Sequence, residues 1–275
     1  MNCGKVGQFE RRLYRFKKSI NQPSKTNIMI KLAVHFAKVV IAAAAALLFG
    51  SCNNINMPNF QKVDGDGHVT TQTRNITSNF TAISASRGLE VILVQAPETK
   101  ITVKADSNLQ NHIKTEIVEG ELRITSDVNI RNAESKTVYV ALPKLDSFQA
   151  SSGVSVSSSN VLRNNTIAFS SSSGSSIDVK VNAETISCES SSSSEIKIKG
   201  KANRLETDSS SGSSIVADKL TVKDATADAS SGSSIVLNAM QSLTAEASSG
   251  SSVSYIGSPS LLKKKVSSGG SVSPY

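Results

Sequence analysis

The chain has 275 residues, 38% of them apolar and 4% aromatic with no tryptophan, and a formal net charge of +8. The charge is local: residues 1–51 hold nine of the thirty Lys and Arg but one of the twenty-two acids, so the remainder is neutral. A neutral remainder carries no basic footprint for nucleic acid, and scarce aromatics leave little for a sugar-stacking platform.

Residues 1–28 are polar and basic and read as a misassigned extension, because Met29 opens a conventional export leader, "MIKLAVHFAK". Residues 29–51 are expected to be a lipoprotein signal peptide. Lys31 and Lys38 precede the apolar run "VVIAAAAALLFG", residues 39–50. Its length fits a signal core and falls short of the ~20 residues that span a bilayer. The run ends in Phe49, Gly50, Ser51 and Cys52. Small residues before a cysteine resemble a bacterial lipobox, with Phe49 where the pattern has Leu and Leu48 one residue earlier. Lipidation at Cys52 would leave a membrane-anchored protein, with residues 52–60 as its tether. The alternative is an ordinary signal peptide before an unrelated cysteine. The address that follows is the cell envelope, as an outer-membrane lipoprotein of a Gram-negative bacterium. The "NNINMPN" after Cys52 lacks an acidic run and leaves periplasmic and surface-exposed placements open.

Residues 61–142 form a β-rich N-terminal part. Period-two alternation marks strands at "LEVILVQ" (89–95), "KITVKAD" (100–106), "ELRITSD" (121–127) and "KTVYVAL" (136–142), separated by the turn signals "APET", "EGE" and "RNAES". One helical turn fits within 107–117. "DGDGH" (64–68) looks like the start of a calcium loop through Asp64 and Asp66, but the later ligands are missing, and a polar turn is the simpler reading.

Residues 143–275 repeat a serine phrase, "SSGSSI" and its variants. Its central glycines Gly153, Gly174, Gly212, Gly232, Gly250 and Gly269, with Ser193 in the equivalent place, recur every 18–21 residues. Such a period is the signature of a solenoid. Three residues after each stands a β-branched residue: Val156, Ile177, Ile196, Ile215, Ile235, Val253 and Val272. Three residues before stand small ones, mostly Ala or Ser. Between these columns the pattern alternates, as in "SSIDVKVNA". The expected fold is therefore all-β: a parallel β-helix-like solenoid with coils of about 18–21 residues, the β-branched column as an internal ladder and the glycines at corners. Seven coils predict a stack roughly 34 Å long. Inward serines are expected to hydrogen-bond to backbone or to the serine one coil away. Residues 61–142 should cover the N-terminal end, and Lys263, Lys264 and Lys265 should guard the other. Cys188 has no partner for an internal disulfide and reads as a buried small hydrophobe.

The order "GDGHV…R.I..F..I..SRGLEVILVQ…ITVKADSNLQNHIKTEIVEGELRI", followed by "VYVALPKLDSFQASSGVSV", resembles the head GIN domain family across residues 61–260. That family comprises domains described as autotransporter adhesin heads in bacterial secreted proteins and lipoproteins. The resemblance implies a solenoid-like all-β fold and supplies no catalytic, metal or cofactor residues.

The expected function is non-catalytic: an envelope lipoprotein that meets the membrane through Cys52 and presents its solenoid to a polysaccharide or protein ligand, with no nucleic acid and no cofactor. The oligomeric state stays open. A carbohydrate-active enzyme on a β-helix scaffold and a structural spacer are the alternatives. Outward charges such as Asp178, Lys180, Glu195, Lys197, Lys199, Asp218 and Asp224 are mixed in sign and read as a solvated surface that forms no column. His68 and His112 come with no nucleophile-elbow pattern.

Overall fold

Strand-forming alternation runs through nearly all of residues 61–275, which the computed structural model describes. The N-terminal strands are β1 (Lys62–Val63), β2 (Val69–Arg74), β3 (Ala82–Ala85), β4 (Glu90–Gln95), β5 (Lys100–Asp106), β6 (Ile113–Val118), β7 (Glu121–Ser126), β8 (Asn129–Ile130), β9 (Lys136–Leu142) and β10 (Ser147–Ala150). The coil strands are β11 (Ser155–Ser171), β12 (Ser176–Ser190), β13 (Glu195–Ser209), β14 (Ser214–Ala229), β15 (Ser234–Ala247), β16 (Ser252–Ile256), β17 (Leu261–Val266) and β18 (Ser271–Pro274). Residues 61–275 lie within one compact unit. The expected helical turn is a single 3₁₀ turn, Ser107–Leu109.

The protein is a parallel β-solenoid of about seven turns. Strands β11 to β15 each span one coil and pair in parallel with the next. Each has two buried stretches, such as Ile177, Val179 and Val181, then Ile186, Cys188 and Ser190. These make the first and second faces of the coil. The ladder stands in register from Val156 through Ile177, Ile196, Ile215, Ile235 and Val253 to Val272. Its members from Val156 to Val253 are at most 4% exposed. Coils of unequal length are reconciled by register shifts at Ser157/Val161, Lys197/Lys199, Ala217/Thr221 and Val222/Asp224. All four lie beyond the ladder residue that follows the serine–glycine turn. The columns flanking that turn therefore stay aligned while the rest absorbs extra residues.

The ladder also reaches into the N-terminal part. Val138 of β9 stands opposite Val91 of β4, which stands opposite Val156. On the second face β7, β3 and β10 lie in parallel ahead of β11. Antiparallel additions then stop the parallel stack: β5 on β9, β2 on β5, and β6 on β7. The β6–β7 hairpin turns at Glu119 and Gly120, both at positive φ, as a two-residue type I′ turn requires. Gln110, 2% exposed, fastens β2 from inside by donating through Nε2 to the Thr70 carbonyl at 2.9 Å.

The corner is a tight turn of four residues. In Ser172–Ser175 the Ser175 N–H donates to the Ser172 carbonyl at 3.2 Å, and the central pair Ser173 and Gly174 have φ of 52° and 71°. Positive φ at both central positions suits glycine and strains other residues. A Cβ added at Gly174, Gly232, Gly250 or Gly269 would meet nothing within 4 Å, so φ alone selects glycine there. Ser193 keeps the same conformation with φ of 59°. Gly153 has a backbone carbon 4.0 Å from such a Cβ and Gly212 the Ser193 hydroxyl at 4.0 Å, which are ordinary contacts.

Candidate functional site

Two columns flank the serine–glycine corner, a buried one that follows it and an outward one on the second face just before it. The buried column is hydroxyl. Ser175, Ser194, Ser213, Ser233 and Ser251 follow the corner and are 2–3% exposed. The Oγ atoms of Ser175, Ser194 and Ser213 accept from the N–H that opens their own turn, at 3.1–3.2 Å. Each Oγ also lies 2.6–2.9 Å from a carbonyl of the preceding coil: Ala150, Ser171, Ser190, Ser209 and Ala229 in order. Where the residue four places earlier is serine, the two hydroxyls meet at 2.9 Å, as in Ser171–Ser175, Ser190–Ser194 and Ser209–Ser213. The inward serines thus bond to backbone across coils and to a serine within their own turn. Among the described residues the expected serine-to-serine bond between coils is confined to Ser176 and Ser155 on the outer surface, at 3.5 Å.

The outward column is acidic, which corrects the expectation that surface charges form none. Four residues before each ruler position, Ser170, Glu189, Asp208, Asp228, Glu246 and Lys265 stand in register on successive coils. Parallel neighbours lie about 4.8 Å apart, and like charges directly opposite repel. Lys265 closes the column with Nζ 2.7 Å from Glu246. Among the described residues Glu189, Asp208 and Asp228 make no ion pair. Burial and the carboxylates of Glu246 and Asp208 hold the Asp228 pKa above its ordinary value. Shallow grooves on this face are lined by Ser187, Glu189, Glu206, Asp208, Thr226 and Asp228.

A raised carboxyl pKa makes the ionised side chain a cost to the fold above that pKa, and the cost is relieved as pH falls through it. Asp228→Asn is therefore expected to raise the melting midpoint at neutral pH. The difference from wild type should close on acidification through the folded pKa; a variant less stable than wild type at neutral pH would contradict the repulsion.

The other candidate residues lie elsewhere. Asp66 accepts from the His68 and Ser107 N–H groups at 2.9 and 3.2 Å and from the Ser107 hydroxyl. Asp64 pairs with Arg131 and accepts from Asn132. "DGDGH" is thus a polar turn that pins the start of the domain, and both its carboxylates are engaged by protein donors. His112 Nδ1 lies 2.7 Å from Asp127, whose pKa His112 and Lys114 lower. Cys188 is buried on the second face, where desolvation pushes its thiol up to about 12. It cannot serve as a thiolate at physiological pH. Cys52 lies outside the described residues.

Residues near the start of the domain repeat the corner without the serine phrase. Arg87 and Gly88 both have positive φ, and the Gly88 N–H donates to the Ser152 carbonyl at 2.9 Å. The signal is "SRGLEV", with Val91 three residues after the glycine, but Gly88 lies far outside the twenty-residue period.

These features define a class: an all-β solenoid domain with a packed, hydroxyl-bonded interior and a polar, charged exterior. Residues 79–259 match the family described as "Putative auto-transporter adhesin, head GIN domain", and the chain belongs to it. Among solved structures, a putative adhesin from Bacteroides fragilis is 18% identical with a TM-score of 0.73, over 78% of this chain and all of that one. One from Parabacteroides merdae is 17% identical with a TM-score of 0.63, over 78% of this chain and 99% of that one. A protein from Parabacteroides distasonis described as a putative lipid binding protein is 18% identical with a TM-score of 0.63, over 78% of this chain and all of that one. At this identity the likeness is one of fold. No curated protein matches the chain.

Proposed function

We propose that the protein is a non-enzymatic, adhesin-like component of the cell envelope of a Gram-negative bacterium, a lipoprotein held at the outer membrane through Cys52. The second face of its solenoid binds a hydroxyl-rich or cationic polymer such as a polysaccharide. The in-register column Glu189, Asp208, Asp228 and Glu246 carries this reading. A straight row of carboxylates beside the hydroxyls of Ser187 and Thr226 offers repeated acceptors to a repeating ligand, and the family's adhesin description agrees with it.

The test pairs two measurements. Cys52→Ser should move the protein from the membrane fraction to the soluble one. Asp208→Asn with Asp228→Asn should weaken binding to a panel of immobilised polysaccharides at least tenfold. Unchanged binding would remove the column from the function, and unchanged membrane retention would remove the anchor.

The same column favours a second reading, a carbohydrate-active enzyme. Retaining glycosidases set two carboxyls ~5–5.5 Å apart. Such a pair must flank the scissile bond, whereas these acids stand in one line on one sheet face. Release of reducing ends from the same panel, abolished by the double variant, would establish the enzyme instead.

A further inference from the structure

The acidic column has a basic counterpart on the same coils. The stretches 161–165, 180–184, 199–203 and 219–223 of β11 to β14 lie where the first face ends and the coil bends towards the second. They hold Arg163, Lys180, Lys199, Lys201, Lys219 and Lys223 against one acid, Glu184. Lys180, Lys199 and Lys219 stand opposite one another on successive coils, and Lys180 points outward between the buried Val179 and Val181. Beside them Arg163, Asn182, Lys201 and Thr221 form a second outward row in register. Parallel neighbours lie about 4.8 Å apart, so the stacked lysines face like charge, which destabilises the free protein.

Little in the fold answers that charge. Lys199 pairs with Asp178 at 2.9 Å. Among the described residues Lys180, Lys201, Lys219 and Lys223 are exposed and make no ion pair. Of the nearby acids, Glu184 accepts from Asn203 and Asp224 from the Ser242 hydroxyl, which leaves Asp218 beside Lys219 in the chain. The cations border a groove. Ala183, Ala202 and Val222, at most 9% exposed, make its floor, and Lys201, Lys223 and Met240 stand around it. Met240 is 51% exposed, an apolar side chain left among charged and polar ones.

The geometry points to a second binding surface at this bend, apart from the acidic column, whose occupant is an acidic polysaccharide lying along the coil stack. Its charge is the complement of the row: ammonium groups repeat from coil to coil as carboxylates repeat along a polyuronate. A groove lined by one sign of charge concentrates ligands of the other. The alanine floor and Met240 meet the C–H face of a sugar ring, and Asn182 and Thr221 offer hydrogen bonds to its hydroxyls. Single-stranded nucleic acid, the other common polyanion, is held by aromatic stacking as well as charge, and no aromatic residue lines this groove. Neutralising a polyanion releases its counterions, so the contact must weaken steeply with salt.

Binding of the full chain, in mild detergent, to immobilised polygalacturonate tests this, with uncharged dextran and single-stranded DNA as comparisons. Wild type is expected to bind polygalacturonate at low salt, to lose it as salt rises, and to bind dextran and DNA at least tenfold more weakly. Lys180→Gln, Lys201→Gln and Lys219→Gln together should lower the polygalacturonate affinity at least tenfold and flatten its salt dependence, with circular dichroism unchanged. The matching triple change to arginine should keep it. Asp208→Asn with Asp228→Asn should leave this binding intact, which separates the bend from the acidic column whether or not that column binds a ligand. The proposal is overturned if wild type fails to bind polygalacturonate at low salt, if the folded glutamine variant binds as wild type does, or if DNA binds as tightly, which would mark unselective attraction of polyanions.

Discussion

Gly200→Ala is expected to lower the unfolding free energy by about 3–5 kcal/mol, the scale of the severest single substitutions. Gly200 has φ of 129°, and an added Cβ would stand 2.0 Å from the Val181 carbonyl oxygen. That oxygen is backbone of the adjacent coil, opposite Gly200 in the ladder. It cannot swing away, so either the coil spacing opens or the strand leaves its register. Gly232→Ala is the control. Its φ of 71° is also positive, but a Cβ there would meet nothing within 4 Å. It should cost only the left-handed penalty, about 1–2 kcal/mol. Urea unfolding of both variants checks the pair, and equal losses would mean that crowding at Gly200 is relieved cheaply.

Replacing Ser194, Ser213 and Ser233 together by alanine should cost about 3 kcal/mol, at roughly 1 kcal/mol per buried hydroxyl. The per-site value sits at the modest end because the backbone partners are not orphaned. The Ser171 carbonyl, for example, keeps the Ser191 N–H at 3.0 Å when the Ser194 hydroxyl is removed. The three sites are neighbours in one stack, so the sum of the single variants need not equal the triple. A loss that large matters against a typical total of about 5–15 kcal/mol. A triple variant with an unchanged urea midpoint would show that the hydroxyls are dispensable and that serine is there for its size alone.

The hydroxyl column explains why serine, a poor core residue, recurs at a buried corner. The two opening coils solve the same corner with apolar residues, Leu89 and Val154, both at most 1% exposed. The next five turns use serine, which keeps the corner small and satisfies a carbonyl of the neighbouring coil, and the turn at 267–270 has Gly270 there. Alternation and the twenty-residue period made the ladder legible, because an inward position must repeat residue type wherever coils stack in register. The same logic failed for Gly88 and Val91. The strands β5 to β10 intervene in the chain and separate Val91 from Val156, its neighbour in the ladder, by more than sixty residues.

By itself, the sequence determined the solenoid, its coil length, the β-branched ladder and the glycine corners. Packing restricts inward positions to a few residue types, and that restriction shows as a column. Only the tertiary structure decided what lies outside and at the end. Outward positions carry no packing constraint, so Glu189, Asp208, Asp228 and Glu246 looked like scattered charge until parallel pairing set them one above another. In the sequence Lys264 was one of three lysines read together as an edge guard. The register places it in a core column, because a strand's side chains alternate faces and the neighbouring coil fixes which face is inward.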